Sequence, residues 1–266
     1  MYDFAYKKPA SVAEAVTALK QDPEAKLVAG GMTFIPVLKQ RLNKPSAVID
    51  LARTNLVGIE DKGATIVIGG MTTHMTIAND KAIATRIPGL SEMASWIGDN
   101  QVRHRGTMGG SLANNDPSAC YPSAVLACDA TITTDRRSIK ADDYFQGMFT
   151  TALEPDEIVT AISFPVPEKS AYEKFRNPAS RYAIVGVFVA KGPAGVRVAI
   201  TGAGQNGVFR HKEMEAALSA NFSPDAIANV KTAPDGLNGD IHASPEYRAH
   251  LIGVMARRAV AKAAGR

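Results

Sequence analysis

Two glycine pairs, each flanked by hydroxyl-bearing side chains, constrain this chain more than any other feature of its sequence. The first lies in Lys26–Phe34 (KLVAGGMTF) and the second in Gln101–Pro117 (QVRHRGTMGGSLANNDP). Because glycine has no side chain to block close approach, such a pair lets backbone N–H groups surround an anion. Either pair alone is more often simply a tight turn. Together they predict one ligand with an extended phosphate-bearing part, held at two places.

The residues around the first pair predict a strand, a turn and then a helix. Lys26–Ala29 has the pattern of a short strand, Thr33 stands at an N-cap position, and apolar residues continue at helical spacing to Leu42. The N-terminus of a helix is suited to binding phosphate. Beside the second pair, Arg103 and Arg105 could neutralise a pyrophosphate or could equally pair with carboxylates of the protein.

Composition excludes several classes of protein. The 266 residues suffice for two domains, and the net charge of +4 comes from scattered basic residues, which argues against binding nucleic acid. Cys120 and Cys128 suit neither a disulfide framework nor a CxxC motif, so the chain cannot hold an iron–sulfur cluster with its own cysteines. We expect both to be small buried hydrophobes in a reducing compartment, which predicts a cytoplasmic protein. No apolar run approaches membrane-spanning length, so no membrane span is expected.

Motifs for self-contained catalysis are missing. Neither glycine pair fits G-x-G-x-x-G or the P-loop, and G-x-S-x-G does not occur. The histidines do not have the spacing of a zinc site, and even His74, in a possible loop, is expected to be a surface or satisfied residue. We therefore predict no catalytic residue and no metal ligand in this chain.

Secondary-structure signals divide the chain into three parts. Ser11–Glu14 is a capping box that opens the first helix, and strands then alternate with helices. Ala130–Thr134 and Arg137–Ala141 are predicted to form a hairpin with Asp135-Arg136 at its tip. After Pro165 the pattern becomes β-rich and ends in two helices, which is typical of an α+β unit. The predicted domains are 1–53, 54–167 and 168–266.

Several segments match the pattern of one known family. They are Ala29–Thr33, Ile68–Thr73, Gln101–Arg103, Gly106–Ala113, Asp116–Pro117, the positions Gly147, Thr151, Leu153, Pro155 and Glu157, then Ala171–Phe175, Tyr247–Arg248 and Arg257–Ala259. On these residues the chain resembles the FAD-binding medium subunit of the molybdenum hydroxylases, of the aerobic carbon monoxide dehydrogenase and xanthine dehydrogenase family. The resemblance covers essentially the whole chain.

The resemblance implies a fold, a cofactor and a set of binding residues. The implied fold class is α+β: a two-subdomain FAD-binding fold of the vanillyl-alcohol-oxidase-like type, followed by a small C-terminal α+β domain. FAD would lie with its pyrophosphate against both glycine pairs. The residues implied to bind it are Leu27, Val28, Ala29, Gly30, Gly31, Met32, Thr33, Phe34, Ile97, Thr107, Met108, Gly109, Gly110, Ser111, Asp116, Cys120, Ile158 and Lys174.

One position departs from the family pattern. Relatives commonly carry an aspartate nine residues beyond the last motif residue, and counting from Ser111 that position here is Cys120. A carboxylate that could accept a hydrogen bond from the ribose or the adenine is therefore missing. Either Asp116 compensates or FAD binds more weakly. Thr33 replaces a frequent serine and keeps the hydroxyl.

The function implied by the resemblance is electron transfer by a flavoprotein subunit. A large molybdenum-cofactor subunit would oxidise the substrate, a small 2Fe–2S subunit would relay the electrons, and FAD in this chain would pass them to an external acceptor. The implied assembly is a dimer of heterotrimers. Two alternatives stay open: a non-catalytic assembly or binding module that has lost tight FAD, and a stand-alone flavin oxidoreductase.

Overall fold

The computed structural model describes residues 1–265, whose strands form three sheets and one hairpin. In chain order the strands are β1 (Ala5–Lys7), β2 (Lys26–Val28), β3 (Ala47–Asp50), β4 (Ile59–Asp61), β5 (Thr65–Gly69), β6 (Thr131–Thr134), β7 (Ser138–Lys140), β8 (Phe145–Gly147), β9 (Thr150–Thr151), β10 (Val159–Pro165), β11 (Lys169–Arg176), β12 (Ala183–Gly192), β13 (Gly195–Thr201) and β14 (Phe209–Arg210). The helices are α1 (Val12–Gln21), α2 (Phe34–Lys39), α3 (His74–Asn79), α4 (Lys81–Arg86), α5 (Pro88–Ser95), α6 (Asn100–Arg105), α7 (Met108–Asn114), α8 (Tyr121–Ala127), α9 (Ala141–Tyr144), α10 (Lys212–Ala220) and α11 (Pro245–Ala263). The mixed helix and strand content agrees with the predicted α+β composition.

The N-terminal sheet is built from parallel strands in the order β1-β3-β2. Parallel neighbours need crossover connections, and α1 and α2 lie between successive strands of this sheet. The predicted cap forms at Ser11, whose hydroxyl accepts from the Glu14 amide at 3.2 Å; the Glu14 carboxylate accepts in return from the amide of Ala10, one residue before the N-cap, at 2.8 Å. Leu19 and Ile49 pack in the core that α1 covers. The first glycine pair is thereby placed between the end of β2 and the start of α2.

The middle sheet is antiparallel, in the order β4-β5-β10-β6-β7. The predicted hairpin around Asp135 is β6–β7. In the centre of the sheet Ile162 of β10 lies directly opposite Ile68 of β5 on one side and Ile132 of β6 on the other. All three side chains are fully buried, so this row of isoleucines forms one face of the largest core.

The C-terminal sheet is antiparallel, in the order β11-β12-β13-β14, and its central strand β12 is buried on both faces. Val185, Val187 and Val189 pack in the core with α10 and α11, whereas Phe188 and Ala190 belong to the core shared with the middle sheet. Since side chains alternate between the two faces of a strand, this apolar run joins the C-terminal sheet to both cores. The C-terminal sheet is therefore packed against the rest of the molecule.

The segment that contains the second glycine pair differs from the prediction. The sequence suggested a turn, but the structure has two short helices, α6 and α7, and Gly109-Gly110 lies in the first turn of α7. Asp99 caps α6 by accepting from the Val102 amide at 2.9 Å, and Thr107 caps α7 by accepting from the Gly110 amide at 3.2 Å. Side-chain caps of this kind offset the low helix propensity of glycine.

Each sheet uses one continuous stretch of the chain, at 5–50, 59–165 and 169–210. On this ground we propose domain boundaries after residues 53 and 167. Within residues 1–265, no helix combines the length and the apolar character needed to cross a bilayer.

Candidate functional site

The main cleft has a volume of about 780 Å³. It is lined by residues from the strands of all three sheets and from the loops beside them. This volume falls within the range of about 300–1,000 Å³ that is usual for ligand sites. Every residue of the predicted binding set except Met108 lines it, namely 27–34, Ile97, Thr107, Gly109, Gly110, Ser111, Asp116, Cys120, Ile158 and Lys174. The fold therefore brings both glycine pairs to one cavity.

The first glycine pair presents a run of unused amide groups to this cleft. Within residues 1–265, none of the backbone N–H groups of residues 29–34 donates a hydrogen bond to another group of the chain. Gly31 has a φ of 76°, a left-handed conformation that glycine adopts without strain. Consecutive free amides at the wall of a cleft form a binding surface for an anion.

The glycines themselves are required by packing between backbones. A Cβ atom on Gly30 would overlap the carbonyl oxygen of Arg105, and one on Gly109 would come within 2.7 Å of the carbonyl oxygen of Gly70. Each glycine thus lets two chain segments approach more closely than any side chain would permit. A third glycine pair, Gly69-Gly70, contributes the backbone against which Gly109 packs, and Gly70 lines the cleft.

The second glycine pair does not act as the predicted amide cradle. The amide of Met108 donates to the Thr72 carbonyl at 3.1 Å, that of Gly109 to the Gly70 carbonyl at 2.9 Å, and that of Gly110 to the Thr107 hydroxyl. These amides are therefore engaged within the protein, and the expectation of two equivalent anion cradles is wrong. What this segment offers the cleft is the side chains of Thr107 and Ser111.

Three further residues differ from their predicted roles. Thr33 occupies the N-cap position of α2, but its side chain makes no capping hydrogen bond. Met108 is fully buried in the core, so its side chain does not reach the cleft. Arg103 has neither predicted partner: its guanidinium donates to the Ile97 carbonyl at 2.9 Å and to the Asn100 side chain at 2.6 Å. Arg103 thus fixes the loop that carries Ile97 to the cleft.

Cys120 lies beside a buried ammonium group. Its Sγ is 3.6 Å from Nζ of Lys174, which also donates to the carbonyls of Trp96 at 2.9 Å and Arg181 at 3.0 Å. Lys174 is only 9% exposed, and no carboxylate of residues 1–265 forms an ion pair with it. The thiol therefore stands where a carboxylate would neutralise this ammonium.

The cleft is also lined by residues outside the predicted set, among them Gly70, Met71, His74, Glu157 and Tyr182. The pair Gly69-Gly70 was a usable signal, because it repeats the glycine-pair pattern. No sequence signal indicated Tyr182, because the turn between β11 and β12 brings it to the cleft from a distant part of the chain. Burial, with Asp116 and Cys120 as further causes, raises the pKa of Tyr182, so its phenol stays protonated at neutral pH.

His74 is a buried, neutral side chain, as the sequence predicted for a satisfied histidine. Its Nδ1 is 3.2 Å from the Tyr121 hydroxyl, and its amide donates to the Gly106 carbonyl at 3.0 Å. Burial first, and then the charge of Arg103, lower its pKa to about 4. His74 is therefore an uncharged side chain at the contact between α3 and the second glycine segment.

Comparison with known proteins identifies the family. The sequence model described as "FAD binding domain in molybdopterin dehydrogenase" matches residues 2–167. The chain belongs to the FAD-binding medium subunits of the molybdenum hydroxylases. It is 35% identical to the nicotine 6-hydroxylase medium subunit of Paenarthrobacter nicotinovorans, over 98% of this chain and 97% of the relative. It is 34% identical to the carbon monoxide dehydrogenase medium chain of Afipia carboxidovorans, over 99% and 97%.

Solved structures agree with these relatives. Reconstituted carbon monoxide dehydrogenase from Oligotropha carboxidovorans matches with a TM-score of 0.90 at 33% identity, covering 100% of this chain and 99% of that one. Quinoline 2-oxidoreductase from Pseudomonas putida 86 matches with a TM-score of 0.88 at 28% identity, covering 99% and 98%. This medium subunit is thus an oxidoreductase subunit whose cofactor is FAD.

The main cleft fits that cofactor in the chemistry of its walls. The free amides of residues 29–34 can donate to a pyrophosphate without breaking any hydrogen bond of the fold. The ring systems of FAD can contact the apolar side chains of Ile97 and Ile158 and the aromatic ring of Tyr182. Polar side chains, such as those of Ser111 and Asp116, line the same cleft.

A carboxylate at position 120 is expected to pair with Lys174. C120D should therefore raise the melting temperature of the FAD-free subunit by a few degrees, about 1 kcal/mol, relative to the uncharged variant C120S. Differential scanning calorimetry of the two variants measures this. The Kd for FAD should stay within about twofold of the wild type, because Lys174 engages the new carboxylate. A tenfold tighter Kd would instead mean that the carboxylate reaches the ribose or the adenine.

Proposed function

We propose that this medium subunit transfers electrons from a 2Fe–2S partner subunit to an external acceptor through its FAD. The observation that carries the proposal is the set of free amides at residues 29–34, which face a cleft large enough for a dinucleotide. No group of three or more metal-ligating side chains comes together within residues 1–265. The bound flavin would supply the redox chemistry, and the protein would position it.

In this proposal the chain's own residues bind and orient FAD. The amides of 29–34 hold the pyrophosphate, with hydroxyl groups of Thr107 and Ser111 on the facing segment. Ile97, on the loop that Arg103 braces, and Tyr182 form apolar walls. Lys174 places a positive charge at the same part of the cleft as Cys120. The two N-terminal sheets would form the two halves of a vanillyl-alcohol-oxidase-like FAD-binding fold.

The proposed partners are a large molybdenum-cofactor subunit and a small 2Fe–2S subunit. Relatives support this, since their names describe medium chains and medium subunits of carbon monoxide dehydrogenase and nicotine 6-hydroxylase. The two cysteines of this chain are both buried and unpaired, so clusters that deliver electrons have to come from another chain. We propose a dimer of heterotrimers in the cytoplasm as the working assembly.

Purification of this chain with its partner subunits tests the proposal. The expected product is a yellow complex with one FAD per medium subunit, whose flavin absorption bleaches when a substrate is added without oxygen. Carbon monoxide, nicotine and glyceraldehyde, which appear in the names of relatives, are the first substrates to try. A colourless complex that takes up no added FAD would favour a non-catalytic module, and a yellow monomer that oxidises substrate alone would favour a stand-alone oxidoreductase.

A further inference from the structure

Two buried hydrogen-bond donors of β11 converge on the thiol of Cys120. Tyr172 and Lys174 are two residues apart on this strand, so their side chains project from the same face. Nζ of Lys174 is 3.6 Å from Sγ of Cys120, and the Tyr172 phenol lies beside the same thiol. Tyr172 is fully buried, Lys174 is only 9% exposed, and Cys120 itself lines the main cleft. An oxygen atom bound to this sulfur would therefore meet both donors.

Neither donor has an anionic acceptor in the described chain. Within residues 1–265 the Tyr172 hydroxyl forms no hydrogen bond, although it is fully buried. Burial first, and then the Cys120 thiol, raise the pKa of Tyr172, so its phenol remains a protonated donor. The Lys174 ammonium donates to two carbonyls and forms no ion pair in the same part of the chain. A buried charge and a buried unsatisfied hydroxyl are both costly, and one anion on the sulfur would satisfy both.

The second cysteine of the chain lacks the surroundings of the first. Cys128 is also buried and unpaired, but it does not line the main cleft, and burial raises its pKa to about 12. Thiols react with peroxides where a cation lies near and the sulfur reaches a cavity, because the thiolate is the nucleophile. Cys120 meets both conditions, whereas Cys128 fails the second.

We propose that Cys120 is a site of oxidation by hydrogen peroxide, and that its oxidised sulfur supplies the missing anion. The thiolate sulfur attacks one peroxide oxygen, an S–O bond forms as the O–O bond breaks, and the leaving hydroxide takes up the thiol proton as water. Sulfur loses the two electrons that the peroxide gains, and the product is a sulfenic acid. A second peroxide repeats the step and yields a sulfinate, which carries two oxygens and one negative charge.

The sulfinate suits the two donors of β11. The separation of 3.6 Å between Sγ and Nζ leaves room for an oxygen on the sulfur to accept from Lys174 at about 2.8 Å. The other oxygen can accept from the Tyr172 hydroxyl. Oxidation would thus create, on a thiol, the ion pair that a carboxylate at position 120 would form, and it should stabilise the subunit.

Peptide mass spectrometry of the full-length subunit after treatment with dilute hydrogen peroxide tests this site. Cys120 should gain first one and then two oxygen atoms, while Cys128 remains a thiol and serves as the internal control. In K174Q the rate of oxidation at Cys120 should fall at least about tenfold, which is the effect of losing one hydrogen bond to a charged group. An unfolded variant would expose both cysteines, so Cys128 also reports whether K174Q has folded.

The melting temperature tests the role of the new anion. The oxidised wild-type subunit should melt a few degrees above the reduced one, and C120S treated with peroxide should show no such gain. The gain should shrink in Y172F and persist in Y144F, a matched control that removes another buried hydroxyl without a partner in the described chain.

Three results would overturn the proposal. They are a Cys120 that stays reduced, equal oxidation of Cys120 and Cys128 in the folded wild type, and an oxidised wild type that melts no higher than the reduced subunit. A covalent link from Cys120 to Lys174 through one oxygen would also overturn it, because the ammonium would then lose the charge that the sulfinate neutralises. These measurements involve no electron transfer, so their outcome is independent of the proposed function.

Discussion

Replacement of Gly30 by alanine or valine is expected to lower FAD retention by the purified subunit at least about tenfold. A Cβ atom at this position overlaps the carbonyl oxygen of Arg105 and lies 2.8 Å from Cα of Gly106, so the first loop has to move away from the second. That movement displaces the free amides of residues 29–34. The loss of one charge-assisted hydrogen bond to a phosphate, about 1.5–3 kcal/mol, already accounts for a tenfold change in Kd.

The same overlap also lowers the stability of the subunit without FAD. Overpacking typically costs about 1–3 kcal/mol, with G30V at the upper end. Flavin absorbance per protein and the melting temperature of the FAD-free subunit measure the two effects. G253A is the matched control, because the Cβ position of Gly253 on α11 has open space around it. Wild-type flavin content in G30V would refute the placement of the pyrophosphate at this loop.

Removal of the buried carboxylate of Glu157 is expected to destabilise the subunit by up to about 3 kcal/mol at neutral pH. This carboxylate accepts hydrogen bonds from Arg137 Nε at 2.9 Å, Arg137 Nη2 at 2.8 Å, the Thr134 hydroxyl at 2.7 Å and the Glu154 amide at 2.9 Å. Arg137 is the main reason that its pKa falls to about 2 from its usual 4.5. E157Q keeps the shape of the side chain but loses the charge on which these bonds depend.

The pH dependence of this stabilisation has a definite sign. The folded state binds the Glu157 proton less tightly than the unfolded state, so the contribution is complete above the unfolded pKa of about 4.5. It is lost as the pH falls from there to about 2. Urea unfolding at pH 7 and at pH 3 should therefore show a difference between wild type and E157Q that shrinks in acid. In the control E168Q, which breaks an exposed pair with Lys191, the change should stay below about 1 kcal/mol.

An E157Q subunit as stable as wild type at pH 7 would contradict the role assigned to this carboxylate. Glu157 also lines the main cleft next to Ile158, whose amide donates to Asp135 at 2.7 Å. Loosening of the segment that Glu157 anchors should weaken FAD binding as well. Titration of the FAD-free variant with FAD measures that second effect.

Local signals in the sequence predicted most of the elements that surround the site. The helix cap at Ser11, the hairpin around Asp135 and the two final helices all appear in the structure. These signals depend on neighbours a few residues apart, so they act before any tertiary contact forms. The two short helices α6 and α7 escaped prediction, because glycine and a basic cluster within a few residues favour a turn unless caps such as Asp99 and Thr107 prevail.

The sequence by itself determined that the predicted binding residues would lie together: only Met108 of that set lies away from the main cleft. Glycine pairs and hydroxyl groups are visible in a sequence, and so is a family pattern built on them. Only the tertiary structure decided which glycine pair carries the free amides. Gly70 and Thr72 engage the amides of Gly109 and Met108, whereas nothing engages those of residues 29–34 within the described chain. Whether a backbone amide is left without a hydrogen-bond partner depends on which distant segment packs against it, and no local sequence pattern encodes that contact.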